Sequence, residues 1–214
     1  MMSQILIYFT FITGLVIVTR IIYLLLRVQS SRYGSSPLPA SSKSTTSVMA
    51  VLGSGGHTKE MLALFSNLDL HFQPRNFIVA STDDFSIDKL KTVVNKQDTI
   101  DKIPRSRQVR QSYISSVMTT VYATMLTLPV ILRHKPNLLI VNGPGTCIPV
   151  CFWCFLLTTF FVCDVRIVYI ESICRVTSLS LTGKLLYFVA DCFLVQWPEL
   201  AKLYPRAQYI GKLL

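Results

Sequence analysis

The chain has few residues of the kinds that build metal and disulfide sites. It contains only three histidines and six cysteines in 214 residues. Cys147, Cys151, Cys154 and Cys163 lie in or beside one apolar run, with no pattern of extracellular disulfides around them. Cys151 and Cys154 form a C-x-x-C pair, but a zinc site needs a second pair of ligands and a redox site needs an accessible thiol. We therefore predict reduced thiols, no metal and no cofactor.

Charged side chains are almost missing from the amino-terminal segment, where residues 5–26 are apolar except for Arg20. As a helix, this run is long enough to cross the roughly 30 Å hydrocarbon core of a bilayer. We predict a transmembrane anchor over residues 1–27. Residues 28–47 are rich in Ser, Thr and Pro and predict a flexible linker. A cleaved signal peptide is the less favoured alternative, because no basic region precedes the run.

The charges that flank the run predict its orientation. The first four residues carry no charged side chain, whereas Arg27, Arg32 and Lys43 follow the run before the first acidic residue, Glu60. By the positive-inside rule, a single-pass anchor then has its amino terminus in the lumen and the rest of the chain in the cytosol.

Acidic residues are also scarce: the eleven that are present leave a net charge of +10. The excess is concentrated in residues 89–110, where seven basic side chains face only two aspartates. This segment lacks the aromatic residues that stack on bases, so we expect no nucleic-acid partner. Anionic lipid headgroups or a phosphate are the favoured ligands, and a merely solvated basic loop is the alternative.

After the linker, short apolar runs alternate with helical stretches. We predict strands at residues 48–52, 76–81, 99–103, 138–142, 166–170 and 191–196, and helices at 57–67, 86–95, 111–133, 146–161 and 182–190. This alternation indicates an α/β domain over residues 48–206, with a doubly wound, Rossmann-like parallel sheet. Ligands of such sheets bind beyond the carboxyl ends of the strands.

Two of the predicted helices are unusually apolar, at residues 111–132 and 146–163. Pro129 interrupts the first, and Pro149 and the flanking strands constrain the second. We favour one buried helix and one helix that rests on the membrane over two additional spans.

A glycine-rich turn follows the first strand, with the sequence Gly-Ser-Gly-Gly-His-Thr at residues 53–58. A strand that turns directly into a helix presents free backbone N–H groups and the positive end of the helix dipole to an anion. The turn is not a Walker loop, because no Gly-Lys-Ser/Thr follows, and Thr58 replaces the third glycine of the dinucleotide fingerprint. A tight turn that binds nothing is the alternative.

A second turn, Asn-Gly-Pro-Gly-Thr at residues 142–146, follows the strand at 138–142. Two such turns at one edge of a sheet form an anion cradle that suits a diphosphate. The predicted diphosphate-binding residues are Gly53, Ser54, Gly55, Gly56, Thr58, Asn142, Gly143, Gly145 and Thr146.

His57 and Glu171 are the candidates for acid–base chemistry. A neutral imidazole at His57 could donate to a phosphate or act as a base, and a helix-capping residue without chemistry is the alternative. Glu171 follows a strand and could accept the proton of a sugar hydroxyl or hold a loop. For Glu171 alone, the structural role is slightly favoured.

Five motifs together resemble a known family. Besides the two turns, they are Tyr-Ile-Glu-Ser at 169–172, Val-Gln-Trp-Pro at 195–198 and Tyr-Ile-Gly at 209–211. In this order they are similar to the membrane-anchoring subunits of the UDP-N-acetylglucosamine transferase of asparagine-linked glycosylation. The resemblance covers residues 48–214 and extends to the anchor.

The resemblance implies the acceptor-binding half of an inverting GT-B glycosyltransferase at the cytosolic face of the endoplasmic reticulum, with the nuclear envelope as a further location. A soluble catalytic subunit would bind UDP-N-acetylglucosamine, and the pair would extend N-acetylglucosaminyl-diphosphodolichol by a second sugar. The glycine turns would hold the lipid diphosphate, and His57 and Glu171 would position the acceptor or serve as base. The chain alone is expected to be inactive.

The last residues are expected to contact that partner. The sequence ends after one domain, so a two-domain transferase would have to take its second domain from another chain. Residues 207–214 are apolar and basic, and we predict that they form a docking tail through Tyr209, Ile210, Leu213 and Leu214; a frayed terminus is the alternative. A recruiting scaffold and an anchored nucleotide-dependent reductase remain competing functions. The reductase lacks the third glycine and an acidic residue near position 75.

Overall fold

The computed structural model describes residues 2–30, 45–69, 71–107 and 111–214. Most of the predicted linker, with Arg32 and Lys43, lies outside the described residues, as does Arg110.

The described chain forms one parallel sheet with helices on both faces. Seven strands pair in the order β3-β2-β1-β4-β5-β6-β7, and every pair is parallel. The strands are β1 (Val48–Leu52), β2 (Arg75–Ala80), β3 (Thr99–Ile103), β4 (Leu138–Val141), β5 (Arg166–Ile170), β6 (Cys192–Val195) and β7 (Ala207–Tyr209). The helices are α1 (Met2–Ser30), α2 (Gly56–Ser66), α3 (Asp84–Leu90), α4 (Tyr113–His134), α5 (Cys147–Thr159), α6 (Leu181–Leu186) and α7 (Pro198–Leu203). The predicted doubly wound parallel sheet is confirmed.

The central strands β1 and β4 are apolar throughout because both faces of the sheet are covered. All residues of β1, β2 and β4 are buried. Ile131 of α4 and Leu186 of α6 pack with α5 on one face, whereas Met61 and Phe65 of α2 pack on the other. The sheet therefore has a separate hydrophobic core on each side.

The first part of the predicted docking tail belongs to the domain itself, because residues 207–209 form a strand of the sheet. β7 pairs with β6, and beyond it the Ile210 N–H donates to the Val195 carbonyl over 3.1 Å. The Leu213 N–H donates to Oε1 of Gln196 over 2.9 Å. A strand of three residues, two of them polar or small, is too short to show a strand pattern in sequence. The helix α7, which precedes β7, was not predicted because it is also too short to show a helical pattern in sequence.

The anchor helix continues three residues beyond its predicted end and packs against the domain. Its carboxyl-terminal part contacts α5, and Arg27 forms ion pairs with Asp164 over 3.0 Å and with buried Asp191 over 2.7 Å. Arg20 lies over the ring of Phe161, with 4.5 Å between guanidinium carbon and ring centroid. These contacts lie at the amino edge of the sheet, where the strands begin.

Two helices of the described chain, α1 and the segment Ile114–His134 of α4, are long and apolar enough to cross a membrane. The two apolar helices of the domain differ in burial. α5 buries most of its side chains, whereas α4 buries Ala123, Thr127 and Ile131 and exposes a stripe on its other side. The stripe consists of Ile114, Val117, Met118, Val121, Tyr122, Met125 and Leu126.

Candidate functional site

The two glycine turns interlock at the carboxyl edge of the sheet, where the strands end. A Cβ atom at Gly53 would lie 2.5 Å from Cγ of Pro144, and one at Gly143 would lie 2.6 Å from Cε1 of His57. Gly143 also has a φ of 70°, which disfavours any residue with a side chain. The absence of these side chains therefore lets each turn pack directly on the other.

One cavity beside the turns has a volume of about 540 Å³ and opens at this same edge. Gly53 and Ser54 of the first turn and Gly145 and Thr146 of the second line it. The opposite wall is the segment after β3, Arg105 to Arg107, which belongs to the predicted basic segment. The structure thus places Arg105 and Arg107 at the predicted anion cradle, which the spacing of residues in the sequence did not predict. Nε and one terminal nitrogen of Arg107 donate to the Gln111 carbonyl.

Four of the other predicted residues lie at a second, smaller cavity of about 300 Å³, whereas Gly55, Thr58 and Asn142 line neither cavity. Gly56, His57, Gly143 and Glu171 line it, together with the loop after β5. The interlocked turns therefore separate a larger cavity with basic residues from a smaller cavity with the two acid–base candidates.

A chain of hydrogen bonds orients His57. Its Nδ1 lies 2.5 Å from Oδ1 of Asn142, and Nδ2 of Asn142 donates to Oε2 of Glu60 over 2.8 Å. The Glu60 oxygen accepts, so the amide nitrogen of Asn142 faces it and the amide oxygen faces the ring. That oxygen can only accept, so Nδ1 of His57 carries the hydrogen. In a neutral ring the lone pair is then on Nε2, the nitrogen that a base uses.

Glu60 is a buried residue of the site that sequence reasoning missed. It is 1% exposed, and besides Asn142 it accepts from Oγ of Ser172, the Ile173 N–H and Nε2 of Gln196. A glutamate in the first turns of an amphipathic helix resembles a solvent-facing residue. Its spacing of three from His57 was the available signal, because i,i+3 residues share one helix face.

Glu171 has a comparable setting in the interior. It is fully buried and accepts hydrogen bonds from the Ser180 N–H over 2.9 Å, from the Ser172 N–H over 3.1 Å and from the hydroxyl of Tyr169 over 3.3 Å. Both carboxylate oxygens are thus occupied by groups of the loop after β5. The geometry favours a role in holding this loop beside His57.

Two of the predicted diphosphate ligands, Thr58 and Asn142, are buried away from both cavities. The hydroxyl of Thr58 donates to the Gly53 carbonyl and lies 2.6 Å from Oγ of Ser86. Asn142 is fully buried between His57 and Glu60. Their side chains shape the turns and do not line the larger cavity.

The predicted docking residues lie at the outer edge of the sheet. Tyr209, Ile210 and Leu214 are exposed, whereas Leu213 packs against the core on the α2 side. Lys212 lies over the ring of Trp197, with 4.5 Å between its Nζ and the centroid. These contacts give the last residues a defined course along the sheet edge.

His134 and two cysteines outside the site contact other parts of the protein or are buried. His134 contacts Asp101 over 2.7 Å and Asn76 over 2.9 Å. Burial raises the pKa of the Cys151 and Cys154 thiols well above the ordinary value, so both stay protonated. This protonation opposes nucleophilic or metal-binding chemistry at the C-x-x-C pair.

Solved structures of other proteins share the fold. The crystal structure of Acinetobacter baumannii MurG matches with a TM-score of 0.56 and 17% identity, over 78% of this chain and 44% of the MurG chain. A UDP-N-acetylglucosamine 2-epimerase matches with a TM-score of 0.52 and 13% identity, over 79% of this chain and 47% of its own. The chain spans less than half of either protein. These similarities support the predicted sheet of the GT-B type.

Sequence comparison gives a closer relationship. Residues 48–213 match the family described as "Oligosaccharide biosynthesis protein Alg14 like". The "UDP-N-acetylglucosamine transferase subunit ALG14" of Rattus norvegicus is 41% identical over 187 residues, with 82% of this chain and 87% of the relative covered. The protein of the same name from Homo sapiens is 42% identical over 183 residues, with 80% and 85% covered. That of Candida albicans is 43% identical over 167 residues, with 77% and 76% covered. The chain therefore belongs to the Alg14 family.

Proposed function

We propose that this chain is the membrane-anchoring and acceptor-binding subunit of a UDP-N-acetylglucosamine transferase that adds the second N-acetylglucosamine to N-acetylglucosaminyl-diphosphodolichol. Relatives at about 40% identity carry the name of such a transferase subunit. The observation that carries the acceptor-binding role is the larger cavity, because two interlocked glycine turns face two arginines across it. Backbone N–H groups and guanidinium groups together suit a diphosphate.

The apolar surface supports a position on the cytosolic leaflet of the endoplasmic reticulum. The exposed stripe of α4 lies in the same helical layer as α5, against which the anchor packs. Exposed Leu181, Leu185 and Phe188 extend this layer at and beyond α6. An apolar face of this extent is typical of a membrane or protein interaction surface. In this arrangement α4 lies on the bilayer and α1 crosses it with the amino terminus in the lumen.

The reaction would proceed by inversion at the donor sugar. A hydroxyl of the acceptor sugar attacks the anomeric carbon of UDP-N-acetylglucosamine, the bond to UDP breaks, and the hydroxyl proton passes to a base. Nε2 of His57 is the candidate base. The hydrogen bonds through Asn142 to Glu60 keep the ring hydrogen on Nδ1, so the lone pair of Nε2 can accept a proton. Glu171 would hold the loop that closes the acceptor side of the site.

The donor would come from a soluble catalytic subunit. The name "subunit" of the relatives supports a heteromeric enzyme. Exposed apolar side chains at the β7 edge, with Tyr209, Ile210 and Leu214, are the proposed docking surface. A chain without its partner is then expected to transfer no sugar.

Reconstitution tests the proposal. The full chain in detergent, alone and with its catalytic subunit, is assayed for transfer from UDP-N-acetylglucosamine to an isoprenyl-diphosphate-linked N-acetylglucosamine. We expect activity only for the pair. His57→Ala should lower turnover by about 10²-fold or more while the complex still forms. His71→Ala, in an exposed turn, is the matched control. Full turnover of the His57→Ala complex would instead favour a recruiting scaffold.

A further inference from the structure

One buried polar group at the larger cavity has no partner. Ser106 lines this cavity, is 1% exposed, and its hydroxyl makes no hydrogen bond with any described residue. Nearly all buried polar groups in proteins are hydrogen-bonded, and an unpaired one costs free energy. The position of Ser106 at a cavity wall points to a ligand that accepts a hydrogen bond there.

The backbone around Ser106 is fixed to the helix behind it. The Ser106 carbonyl accepts from the hydroxyl of Thr119 over 2.6 Å and lies 3.2 Å from that of Thr120, which donates to the Ser116 carbonyl over 2.7 Å. Both threonines belong to the buried side of the first turns of α4, and Thr120 also lines the cavity. The unpartnered hydroxyl is therefore held on a supported segment.

The neighbours of Ser106 make this wall electropositive. Arg105 and Arg107 line the same cavity on either side of it. The glycine turns, with Gly53 and Gly145, form the facing wall. A diphosphate diester carries a negative charge on each phosphate, and two arginines with a hydroxyl between them match that distribution.

We propose that Arg105, Ser106 and Arg107 form a second wall of the diphosphate site, in which Ser106 donates to a phosphate oxygen and the arginines neutralise the two charges. This inference rests on the proposed function and names the residues that would recognise the lipid-linked acceptor.

The surroundings favour a lipid-borne diphosphate over a nucleotide diphosphate. Leu52, Ile148 and Leu181 form the apolar part of the cavity wall, and Leu181 is also exposed on the α4–α6 side. The cavity thus opens beside the apolar surface, where the first isoprene unit could leave toward a membrane. None of the described residues that line it is aromatic, so these residues offer no ring for stacking on a base.

Ser106→Ala gives the sharpest test, because the substitution removes a hydroxyl without a partner. We expect its melting temperature to equal or exceed that of the wild type. In the reconstituted pair we expect KM for the isoprenyl-diphosphate acceptor to rise about 10-fold, with KM for UDP-N-acetylglucosamine unchanged. Arg105→Gln with Arg107→Gln should raise the acceptor KM further. Lys96→Gln is the matched control, since Lys96 belongs to the same basic segment outside the cavity.

A second measurement separates this inference from the proposed function. Thermal stability of the full chain is recorded with and without inorganic pyrophosphate, which should stabilise the wild type and the Lys96→Gln variant but not the double arginine variant. If these shifts appear and the wild-type pair transfers no sugar, the second wall stands and the proposed function fails. If transfer proceeds and all variants keep the wild-type acceptor KM and pyrophosphate shift, the second wall is wrong. A rise in the UDP-N-acetylglucosamine KM instead would assign the wall to the donor and also overturn the inference.

Discussion

Glu60 connects parts of the chain that lie far apart in sequence. Its carboxylate accepts hydrogen bonds from Asn142 after β4, from Ser172 and Ile173 after β5, and from Gln196 after β6. All of its partners are donors, so the site requires a group that accepts only. Because one partner is the amide that orients His57, a single buried residue sets both the loop positions and the tautomer of the ring.

Glu60→Gln tests this role as a positioning residue. The new amide nitrogen would face donors, so we expect a loss of about 2 kcal/mol in the free energy of unfolding. The Asn142 amide could then reverse, which would move the ring hydrogen of His57 to Nε2. We expect kcat of the reconstituted pair to fall about 10-fold or more, with a changed pH profile and an unchanged KM for UDP-N-acetylglucosamine.

The control for this substitution is Glu199→Gln, at an exposed carboxylate of α7. Both its stability and its kinetics should match the wild type. Wild-type kcat and pH profile in Glu60→Gln would show that Glu60 does not act through His57.

The buried thiol of Cys192 makes the free energy of unfolding depend on pH in the alkaline range. Burial, with a smaller contribution from Asp191, raises the pKa of this thiol from 9.0 to about 11. Because the folded pKa lies above the unfolded one, the stabilisation is complete below pH 9 and is lost as pH rises toward 11. Between pH 9 and pH 11, we expect the free energy of unfolding of Cys192→Ala to fall by about 2 kcal/mol less than that of the wild type. Cys174→Ala, at an exposed thiol, should follow the wild type. Parallel curves for the wild type and Cys192→Ala would contradict the assignment.

At the scale of elements, the site depends on how two strand-to-helix turns meet. The turn after β1 contributes His57, and the turn after β4 contributes the backbone on which its ring packs. β1 and β4 are neighbours in the sheet, so their carboxyl ends bring the turns together. The two halves of the cradle are thus positioned by strand pairing.

Comparing Gly143→Ala with Gly145→Ala tests whether the turn needs glycine because of its packing on His57. Both changes remove a glycine of the same turn, but only the one at 143 disturbs that packing. An alanine at 143 would adopt a φ of 70° and meet Cε1 of His57 at 2.6 Å, whereas one at 145 has open space. We expect Gly143→Ala to cost about 1–3 kcal/mol of stability and to lower turnover by displacing the ring. Gly145→Ala should keep wild-type stability. Thermal unfolding and the transfer assay measure both, and equal behaviour of the two variants would refute the packing argument.

At the scale of the whole molecule, anchor and site lie at opposite edges of the sheet. The anchor helix packs at the amino edge through Arg27, and both cavities open at the carboxyl edge. The Asp191 carboxylate that receives Arg27 is 3% exposed at its side chain and also accepts from the Ile167 N–H over 2.8 Å. The orientation of the domain relative to the anchor is therefore set by a largely buried ion pair.

Breaking this pair should loosen the anchor. Arg27→Gln leaves the Asp191 charge without one of its partners, and we expect a loss of about 3 kcal/mol in the free energy of unfolding. Limited proteolysis should then cut the chain faster after α1. Arg175→Gln, an exposed arginine beside the smaller cavity, is the control for stability. If Arg27→Gln leaves stability and proteolysis as in the wild type, the anchor is not held by this pair.

The features that the sequence predicted well are local. The apolar runs at residues 48–52 and 138–141, each leading into a glycine turn, indicated the central strands β1 and β4, because a strand covered on both faces is apolar throughout. The apolar run at the amino terminus, with Arg20 as its one charged residue, indicated a membrane anchor by its length. The glycine turns were recognisable because their conformation depends on their own residues.

The amino-acid sequence by itself determined the alternating α/β order, the anchor and the two turns, since neighbouring residues specify each of them. Only the tertiary structure decided which side chains share the site. It brought Glu60 to Asn142 across 82 residues and Arg105 to Gly145 across one cavity, and it added β7 to the sheet. These contacts depend on strand order and packing, and residue spacing along the chain does not encode which distant groups meet at one sheet edge.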